Sequence, residues 1–326
     1  MRARTFTIFV LTLLTTLTTT LLMGCDVAAP TAPAGTAAPL TSYAWSYDVV
    51  LAEPAWLAAH LRDANVRVVD VSAPGAYQLG HIPGAVQAYW QDLIEKNSPT
   101  YGKLAGKPGR EQFFSDLGIA YANTTVVVYD RDDNRAAART AWALWYAGHP
   151  NVRLLNGGLA AWIAAGKPLE RATPPSVRIP NVPGPSITVR FQDLPDESVH
   201  ANRCDLSRAV NDTGSVILDL RTDADRAETW GGTVMPGSVA SAKRLPWTAF
   251  VRDLKLPAFR SPDDLRIRLR AVGARPDKQI WLYGLASNDA ALPFFALKAL
   301  GYVHVRVYDG GWAEWGANPA IATGSC

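Results

Sequence analysis

Two short apolar runs that end in tyrosine lead into the segments whose residue types could do chemistry. Tyr129 is followed by D-R-D-D-N-R at 130–135, and Tyr283 by G-L-A-S-N-D-A at 284–290. A tight loop between a strand and a helix turns backbone N–H groups inward, and the positive end of the helix adds to them. Such a loop can bind an anion, and in an open α/β sheet it lies at the carboxyl edge where ligands bind.

The two loops recur because the chain contains one sequence pattern twice. The first copy has V-V-D-V-S (68–72), G-H-I-P-G-A-V (80–86), V-V-V-Y-D (126–130) and N-G-G-L-A-A-W (156–162), and the second has V-I-L-D-L-R (216–221), V-M-P-G-S-V (234–239), I-W-L-Y-G (280–284) and D-G-G-W-A-E-W (309–315). Pro83 recurs as Pro236 and Trp162 as Trp315, a period of roughly 150 residues, which is the size of a domain rather than of a solenoid repeat. We conclude that a whole domain is duplicated.

Each copy alternates short apolar runs with helix-like segments, a pattern that predicts an α/β fold with a parallel sheet flanked by helices on both faces. The predicted strands cover 66–71, 125–129 and 152–155 in the first copy and 215–220, 279–283 and 303–308 in the second. Helices are predicted over 135–146 and 290–300. Both loops then lie between a strand and a helix.

This order of motifs resembles the tandem-domain rhodaneses, the thiosulfate and mercaptopyruvate sulfurtransferases, from about residue 45 to residue 319. The resemblance implies two tandem rhodanese-like domains. It also implies that the N-terminal copy is usually inert and that the C-terminal copy carries a cysteine directly after the Tyr-ending strand, where the thiolate becomes a persulfide. Here the matching positions are Asp130 and Gly284, and neither residue has a thiol. We therefore expect no catalytic residue at the standard position.

The pocket of the second copy is predicted to be formed by the loop residues Gly284, Leu285, Ala286, Ser287, Asn288, Asp289 and Ala290. This segment has no cation to hold an anionic donor, and the loop of the first copy sets three carboxylates against two guanidinium groups. A thiosulfate dianion is poorly matched to either loop. Ser287 is a candidate nucleophile, but no partner base is evident, and a turn or helix-cap serine is the favoured alternative.

Three basic side chains outside the loop are candidates for binding an anion. Arg221 lies in D-x-R at 219–221, a strand end that matches the family pattern, although a structural ion pair with a neighbouring carboxylate is the favoured role. Lys243 and Arg244 follow M-P-G at 235–237, near the predicted mouth of the site, where the alternative is a solvated charged turn. The sequence leaves both roles open for each residue.

The other residues with chemically useful side chains lack suitable neighbours. Cys204 and Cys326 bracket the second domain, and they either form a disulfide in an oxidising compartment or remain a free buried thiol and a terminal one. His81 has no second histidine or thiol at ligand spacing, so neither a metal site nor another cofactor is predicted. Trp162 and Trp315, in the G-G-x-A-x-W segments, are predicted to pack helix against sheet.

Residues 1–25 are predicted to be a lipoprotein signal peptide. Arg2 and Arg4 precede an uncharged, apolar and Thr-rich run over 6–23, and the segment ends in L-M-G-C at 22–25. This ending resembles the lipobox of bacterial lipoproteins and predicts that Cys25 is lipidated and attached to a membrane through its acyl chains. The alternative is an uncleaved anchor helix, since about 18 apolar residues can span a bilayer. Either outcome places the folded part on the extracytoplasmic face of the membrane.

The rest of the chain divides into two domains and two Pro-containing segments. Residues 26–43 are rich in Ala, Pro and Thr and cannot bury a core, so they are predicted to form a tether. A second Pro-rich stretch predicts a linker over 172–186. Rhodanese-like domain 1 is therefore predicted over 44–171 and rhodanese-like domain 2 over 187–326.

Composition narrows the range of partners. The formal net charge of +3 over 326 residues is close to neutral and no basic stretch is interleaved with aromatics, so nucleic acid is not expected as a partner. The expected partners are the membrane, through the N-terminal lipid, and either a small sulfur-containing anion or a protein.

Three functions fit these observations. The leading hypothesis is a membrane-anchored rhodanese homologue that lacks persulfide-based sulfurtransferase activity and serves in binding or scaffolding. The alternative is an active sulfurtransferase of altered mechanism, which transfers sulfane sulfur from thiosulfate or mercaptopyruvate directly to a thiol or cyanide. The third is a structural module that holds a protein partner at the membrane. Gly284→Cys probes the first hypothesis, because weak activity is expected if the geometry of the loop can still hold a thiolate.

Overall fold

The computed structural model of the protein describes residues 47–119, 124–149, 151–171, 190–227, 229–230, 233–234 and 236–317. The predicted signal peptide (1–25), tether (26–43) and linker (172–186) lie outside the described residues. Within the described ranges no helix has both the length and the apolar character needed to cross a bilayer.

Domain 1 contains a five-stranded parallel sheet with the strand order β1-β5-β4-β2-β3. Its strands are β1 (Leu51–Ala52), β2 (Val66–Asp70), β3 (Val86–Gln87), β4 (Thr125–Tyr129) and β5 (Val152–Leu155). Its helices are α1 (Tyr47–Val50), α2 (Pro54–His60), α3 (Lys107–Asp116), α4 (Arg135–Tyr146) and α5 (Gly158–Ala164), with 3₁₀ turns at Tyr77–Leu79 and Trp90–Leu93. The predicted bounds of β4, β5 and α4 are confirmed.

Domain 2 repeats this topology. Its strands are β6 (His200–Ala201), β7 (Ser215–Asp219), β10 (Lys243–Arg244), β11 (Gln279–Tyr283) and β12 (Val305–Tyr308), and its helices are α6 (Arg203–Ala209), α7 (Asp223–Ala227), α8 (Pro262–Ala271), α9 (Ser287–Ala299) and α10 (Gly311–Trp315). A separate antiparallel pair joins β8 (Thr229–Trp230) to β9 (Thr233–Val234), and a 3₁₀ turn covers Trp247–Phe250. The parallel sheet has the order β10-β7-β11-β12-β6, the same arrangement as in domain 1. The predicted α/β fold of two tandem domains is therefore confirmed.

Both sheets are covered on their two faces, and three buried apolar clusters result. Alternate residues of a strand point to opposite faces, so Val128 of β4 lies in the cluster shared by the two domains and Val127 in a cluster on the other face of the sheet. In β11, Leu282 lies in the shared cluster and Trp281 in a cluster on the other face of the domain 2 sheet. Burial on both faces explains why these central strands are continuous apolar runs in the sequence.

Helices α4 and α9 pack against each other and join the two domains. The Trp145 ring of α4 makes edge contacts with Phe294 and Phe295 of α9, with centroids 5.5 and 6.0 Å apart. Because each helix starts at one of the two candidate loops, this packing brings the loops to one interface.

The first described residues after the predicted linker, which the sequence assigns to domain 2, pack on domain 1. The Leu194 N–H donates to the Ala147 carbonyl at 3.0 Å. The Asp193 carboxylate forms a buried ion pair with Arg110 of α3 at 2.6 Å. This segment therefore packs domain 2 against α3 and the end of α4 in domain 1.

Candidate functional site

The two candidate loops occupy corresponding places in the two domains. In domain 1 the Leu159 N–H donates to the Asp130 carbonyl at 2.9 Å, and in domain 2 the Trp312 N–H donates to the Gly284 carbonyl at 2.8 Å. The donors are the residues that follow the two repeated G-G pairs. Asp130 and Gly284 are thus equivalent in position, each directly after the central strand of its sheet.

One glycine of each G-G pair allows the neighbouring backbone to approach the loop. Gly158 and Gly311 have φ values of +57° and +56°, in the left-handed region that favours glycine. A Cβ at Gly158 would lie 2.8 Å from the Asp130 carbonyl oxygen, and one at Gly311 would lie 2.6 Å from the Leu285 carbonyl oxygen. The repeated G-G motif is therefore explained by this close packing against the two loops.

The loop of domain 1 is filled by its own first side chain. Five residues, 130–134, separate β4 from α4, and the buried Asp130 carboxylate accepts N–H groups from Asp132, Asn134 and Ala137, all at 2.9 Å. Burial raises the pKa of Asp130 to about 7, and the three N–H donors oppose that rise. The place where this loop could hold an external anion is taken by a carboxylate of the chain.

The loop of domain 2 is shorter than predicted. Helix α9 begins at Ser287, three residues before the predicted start at 290, so only residues 284–286 separate it from β11. The prediction of a seven-residue loop was therefore wrong, because Ser287, Asn288, Asp289 and Ala290 are helical. Ala286 at the N-cap has no capping side chain, and the Asp289 carboxylate reaches back to accept the Leu285 N–H at 2.9 Å. This contact stabilises the early start of the helix.

Gly284 has no room for a side chain in this loop. A Cβ built at Gly284 would lie 2.4 Å from the Asp289 Cβ, 2.6 Å from Asp289 Oδ2 and 2.7 Å from the Ala286 carbonyl oxygen. Two of these neighbours are a Cβ and a backbone atom, which cannot move without moving the chain. Any residue other than glycine at this position would require the loop to change its path.

A cation from domain 1 lies against the loop of domain 2. Arg135, the first residue of α4, donates from Nη1 to Asp289 Oδ1 at 2.5 Å and also pairs with Asp133 at 2.8 Å. Its guanidinium lies over the Trp247 ring, 4.5 Å from the centroid. Burial raises the pKa of Asp289 to about 6, while Arg135 acts in the opposite direction. The Asp289 side chain is 4% exposed and that of Arg135 28%, so the guanidinium covers the carboxylate.

Sequence reasoning missed Arg135 as a group of this site. The loop of domain 2 contains no cation of its own, and the guanidinium that lies against it comes from the other copy. The duplication contained a usable signal, because two equivalent helices that pack together bring the residues at their first turns close to each other.

The Ser287 hydroxyl is fully buried and makes a structural contact. Its Oγ donates to Asp309 Oδ1 at 3.2 Å, and the same carboxylate pairs with Arg139 of α4 at 2.7 Å and accepts the Leu104 N–H at 2.9 Å. Despite burial, Arg139 holds the pKa of Asp309 below its ordinary value. Ser287 thus belongs to a buried network between the domains, and a solute cannot reach it.

The Arg221 side chain is also buried and does not reach the loop. Its guanidinium makes two hydrogen bonds with the Asp219 carboxylate, at 2.9 and 2.6 Å, and donates to the Gly237 carbonyl at 2.8 Å. It also lies over the Trp312 ring, 4.2 Å from the centroid. This arrangement is the structural ion pair that the sequence favours for Arg221, and the candidate role in anion binding is not supported.

Lys243 and Arg244 lie on the exposed strand β10 at the edge of the sheet. Arg244 is paired in register with Asp219 of β7, which is paired in turn with Tyr283 of β11, so two strand spacings separate it from the loop. The Arg244 guanidinium forms an ion pair with Asp223, which is itself exposed. The structure brings neither cation to the Gly284 loop.

Cys204 is joined in a disulfide in the structure. The other two cysteines, Cys25 and Cys326, lie outside the described residues. The alternative of a free thiol at Cys204 was therefore wrong, and a nucleophilic role for this residue would first require reduction.

His81 and the repeated tryptophans make packing contacts. The His81 ring is buried, stacks on Tyr77 at 3.6 Å and has its Nδ1 3.1 Å from the Tyr77 carbonyl oxygen. Trp162 and Trp315 lie in the clusters on the outer faces of the two sheets. Each of these residues packs within its own domain.

Comparisons with known proteins agree with this architecture. The rhodanese-like domain model matches residues 53–165 and 204–318. The chain is 32% identical over 286 residues to the sulfur carrier protein TtuD of Thermus thermophilus, covering 83% of this chain and 95% of TtuD. It is 31% identical over 267 residues to a thiosulfate sulfurtransferase of Pseudomonas aeruginosa, and the match covers 82% of this chain and 94% of that protein. The chain belongs to the rhodanese-like family and contains two copies of its domain.

A solved structure of the same family shows the same fold. SseA from Escherichia coli, a 3-mercaptopyruvate sulfotransferase, matches with a TM-score of 0.66 and 26% identity, over 83% of this chain and 99% of SseA. The predicted relationship to thiosulfate and mercaptopyruvate sulfurtransferases is thereby confirmed at the level of the family.

Proposed function

We propose that this protein is a rhodanese-like sulfurtransferase homologue that forms no enzyme persulfide and acts by binding or scaffolding. The observation that carries the proposal is the geometry at Gly284, where a Cβ would lie 2.4 Å from the Asp289 Cβ. The position that follows the central strand of domain 2 has neither a thiol nor the space for one.

The electrostatics of the two loops support the same conclusion. A persulfide cycle needs a thiolate in a set of inward N–H groups that also hold the anionic donor. In domain 1 those N–H groups bind the Asp130 carboxylate, and in domain 2 the Leu285 N–H binds the Asp289 carboxylate. A thiosulfate dianion would have to displace a carboxylate from either loop.

Sulfur labelling of the full-length protein tests this proposal. The protein is incubated with thiosulfate or mercaptopyruvate, its intact mass is measured, and thiocyanate formation is followed after addition of cyanide. We expect no added sulfur and no turnover, and the P. aeruginosa thiosulfate sulfurtransferase serves as the active control. Sustained turnover that Gly284→Ala abolishes would overturn the proposal.

The partly exposed Arg135 guanidinium favours a second candidate function, direct transfer without an enzyme persulfide. A donor anion held by Arg135 could pass its outer sulfur to cyanide or a thiol, with sulfite or pyruvate as the leaving product. The same assay decides between the two, because direct transfer gives thiocyanate with unmodified protein mass and loses its rate in Arg135→Ala. Thiocyanate formation that is unchanged in Arg135→Ala would exclude this route.

We further propose that the protein is held on the extracytoplasmic face of a membrane through a lipid on Cys25. The support is the sequence alone, namely the basic start, the uncharged apolar run and L-M-G-C at 22–25. Labelled palmitate should be incorporated into the wild type and not into Cys25→Ser. Cross-linking in intact cells would then show whether the anchored protein holds a protein partner.

A further inference from the structure

The domain 2 loop holds an anion that belongs to the chain itself. The Asp289 carboxylate receives the Leu285 N–H at 2.9 Å and the Arg135 guanidinium at 2.5 Å, at the first turn of α9. A backbone N–H, a helix start and a guanidinium are the donors that hold small oxyanions in proteins. Asp289 therefore acts as an internal ligand of an anion site shared by the two domains.

We propose that Asp289 is a proton-released internal ligand: when its carboxyl group takes up a proton, it leaves Leu285 and Arg135, and these groups bind one small oxyanion. The inference rests on the proposed function, since it assigns a class of ligand and a dependence on pH to a pocket that binds its ligand without forming a persulfide. The step moves one proton from solvent to the carboxylate and exchanges one anion for another at the same donors.

The contacts of Asp289 are few enough for release. The carboxylate accepts one backbone N–H and one guanidinium, whereas the equivalent Asp130 site has three backbone N–H groups. Arg135 keeps its second partner, Asp133, when Asp289 departs. Since the Arg135 side chain is 28% exposed, an anion from solvent can reach the vacated donors.

The charges around Asp289 allow it to take up a proton at a pH where the neighbouring Asp309 stays ionised. Arg135 from α4 favours the carboxylate, Asp225 from α7 disfavours it, and burial raises the pKa of Asp289 to about 6. Asp133 from the loop of domain 1 pairs with the same Arg135 guanidinium at 2.8 Å. The neighbouring Asp309 stays ionised because Arg139 holds its pKa low. Asp289 thus changes charge between about pH 7 and pH 5 while Asp309 does not.

The Trp247 side chain adds to this cluster a buried donor without a partner among the described residues. The Trp247 indole N–H is buried and has no hydrogen-bond acceptor among the described residues, and its ring lies under the Arg135 guanidinium. A buried N–H without an acceptor costs free energy that an incoming oxygen atom would recover. The cluster around Arg135 therefore contains one buried donor that the described residues leave unsatisfied.

Sulfate binding to the full-length protein tests the inference, with sulfate as the probe because its charge is constant between pH 5.5 and 7.5. Affinity is measured by calorimetry, and a thermal shift gives an independent readout. For the wild type we expect roughly 20-fold tighter binding at pH 5.5 than at pH 7.5, since apparent affinity follows the fraction of protein in the binding-competent state. Absence of binding at pH 5.5 would overturn the inference.

Variants identify the group responsible. Asp289→Asn and Asp289→Ala should bind sulfate equally at both pH values, and Arg135→Ala in either background should lose most of that binding. The matched control is Asp130→Asn, which alters the equivalent loop and should keep the wild-type pH dependence. A pH dependence that survives in both Asp289 variants would contradict the inference.

The outcome is separable from that of the proposed function. Intact mass and thiocyanate formation report on covalent or turnover chemistry, and neither depends on whether sulfate binds. A protein that forms no persulfide and binds no sulfate at pH 5.5 would refute the release of Asp289 while leaving the proposed function in place.

Discussion

The loops after β4 and β11 hold equivalent positions in two copies of one domain, yet they connect strand to helix in different ways. In domain 1 five residues separate strand from helix, and the first of them, Asp130, turns its side chain into the loop. In domain 2 three residues suffice, the first is Gly284, and the carboxylate that fills the loop comes from the helix at Asp289. Loop length thus decides whether the residue after the strand can present a side chain.

Backbone conformation accounts for the difference in length. Asn134 adopts a left-handed φ of +66° immediately before α4, so the domain 1 chain makes an additional turn before the helix starts. In domain 2 the extended Ala286 leads directly into α9. A side chain directly after β11 would need the longer form of the loop, so the short loop and the absence of a thiol at Gly284 agree with each other.

The largest effect is expected for Asp130→Ala. The substitution leaves three buried N–H groups without an acceptor and should lower the free energy of unfolding by about 3 kcal/mol or more. Asp289→Ala is the matched variant in domain 2, and it should cost only about 1 kcal/mol because one N–H loses its partner and Arg135 keeps Asp133. Urea unfolding measures both. Equal losses of unfolding free energy in the two variants would show that the two carboxylates stabilise their loops to the same extent. The proposed difference between the loops would then be wrong.

A smaller effect is expected for Gly284→Ala. The added Cβ meets the Asp289 Cβ and the Ala286 carbonyl oxygen, so the variant should lose roughly 2 kcal/mol in the same unfolding measurement. Gly106→Ala is the control, because a Cβ there has its nearest neighbours at 3.9 Å, and it should lose less than about 1 kcal/mol. By the same geometry we expect Gly284→Cys to gain no sulfurtransferase activity. Full stability of Gly284→Ala would show that the loop widens readily.

Much of this architecture is predictable from sequence, and the exceptions have physical causes. The strands over 125–129 and 279–283 are predicted correctly because burial on both faces demands continuous apolar runs. The start of α9 is only partly encoded in its own residues. It depends on Asp289 reaching back to Leu285 and on the close approach of Gly311.

The cation of the site was missed for a different reason. Arg135 and Asp289 are 154 residues apart in the chain, and only the packing of α4 on α9 brings them together. Arg221 shows the converse, since its position in a family motif suggested a role in binding while its donors are used by Asp219 and Gly237. A motif fixes where a residue lies along the strand, whereas burial decides which partner it has.

The smallest effect is expected for Arg244→Ala, which separates surface charge from the site. Arg244 pairs with Asp223 on an exposed strand, and exposed ion pairs contribute little, so the free energy of unfolding should change by less than about 0.5 kcal/mol. Sulfate affinity at pH 5.5 should also be unchanged, whereas Arg135→Ala should remove it. If Arg244→Ala weakened sulfate binding as strongly as Arg135→Ala, the anion would bind at the edge of the sheet. The contrast between the two loops would then have no bearing on ligand binding, because the donors at Leu285 and Arg135 would serve only to stabilise the fold.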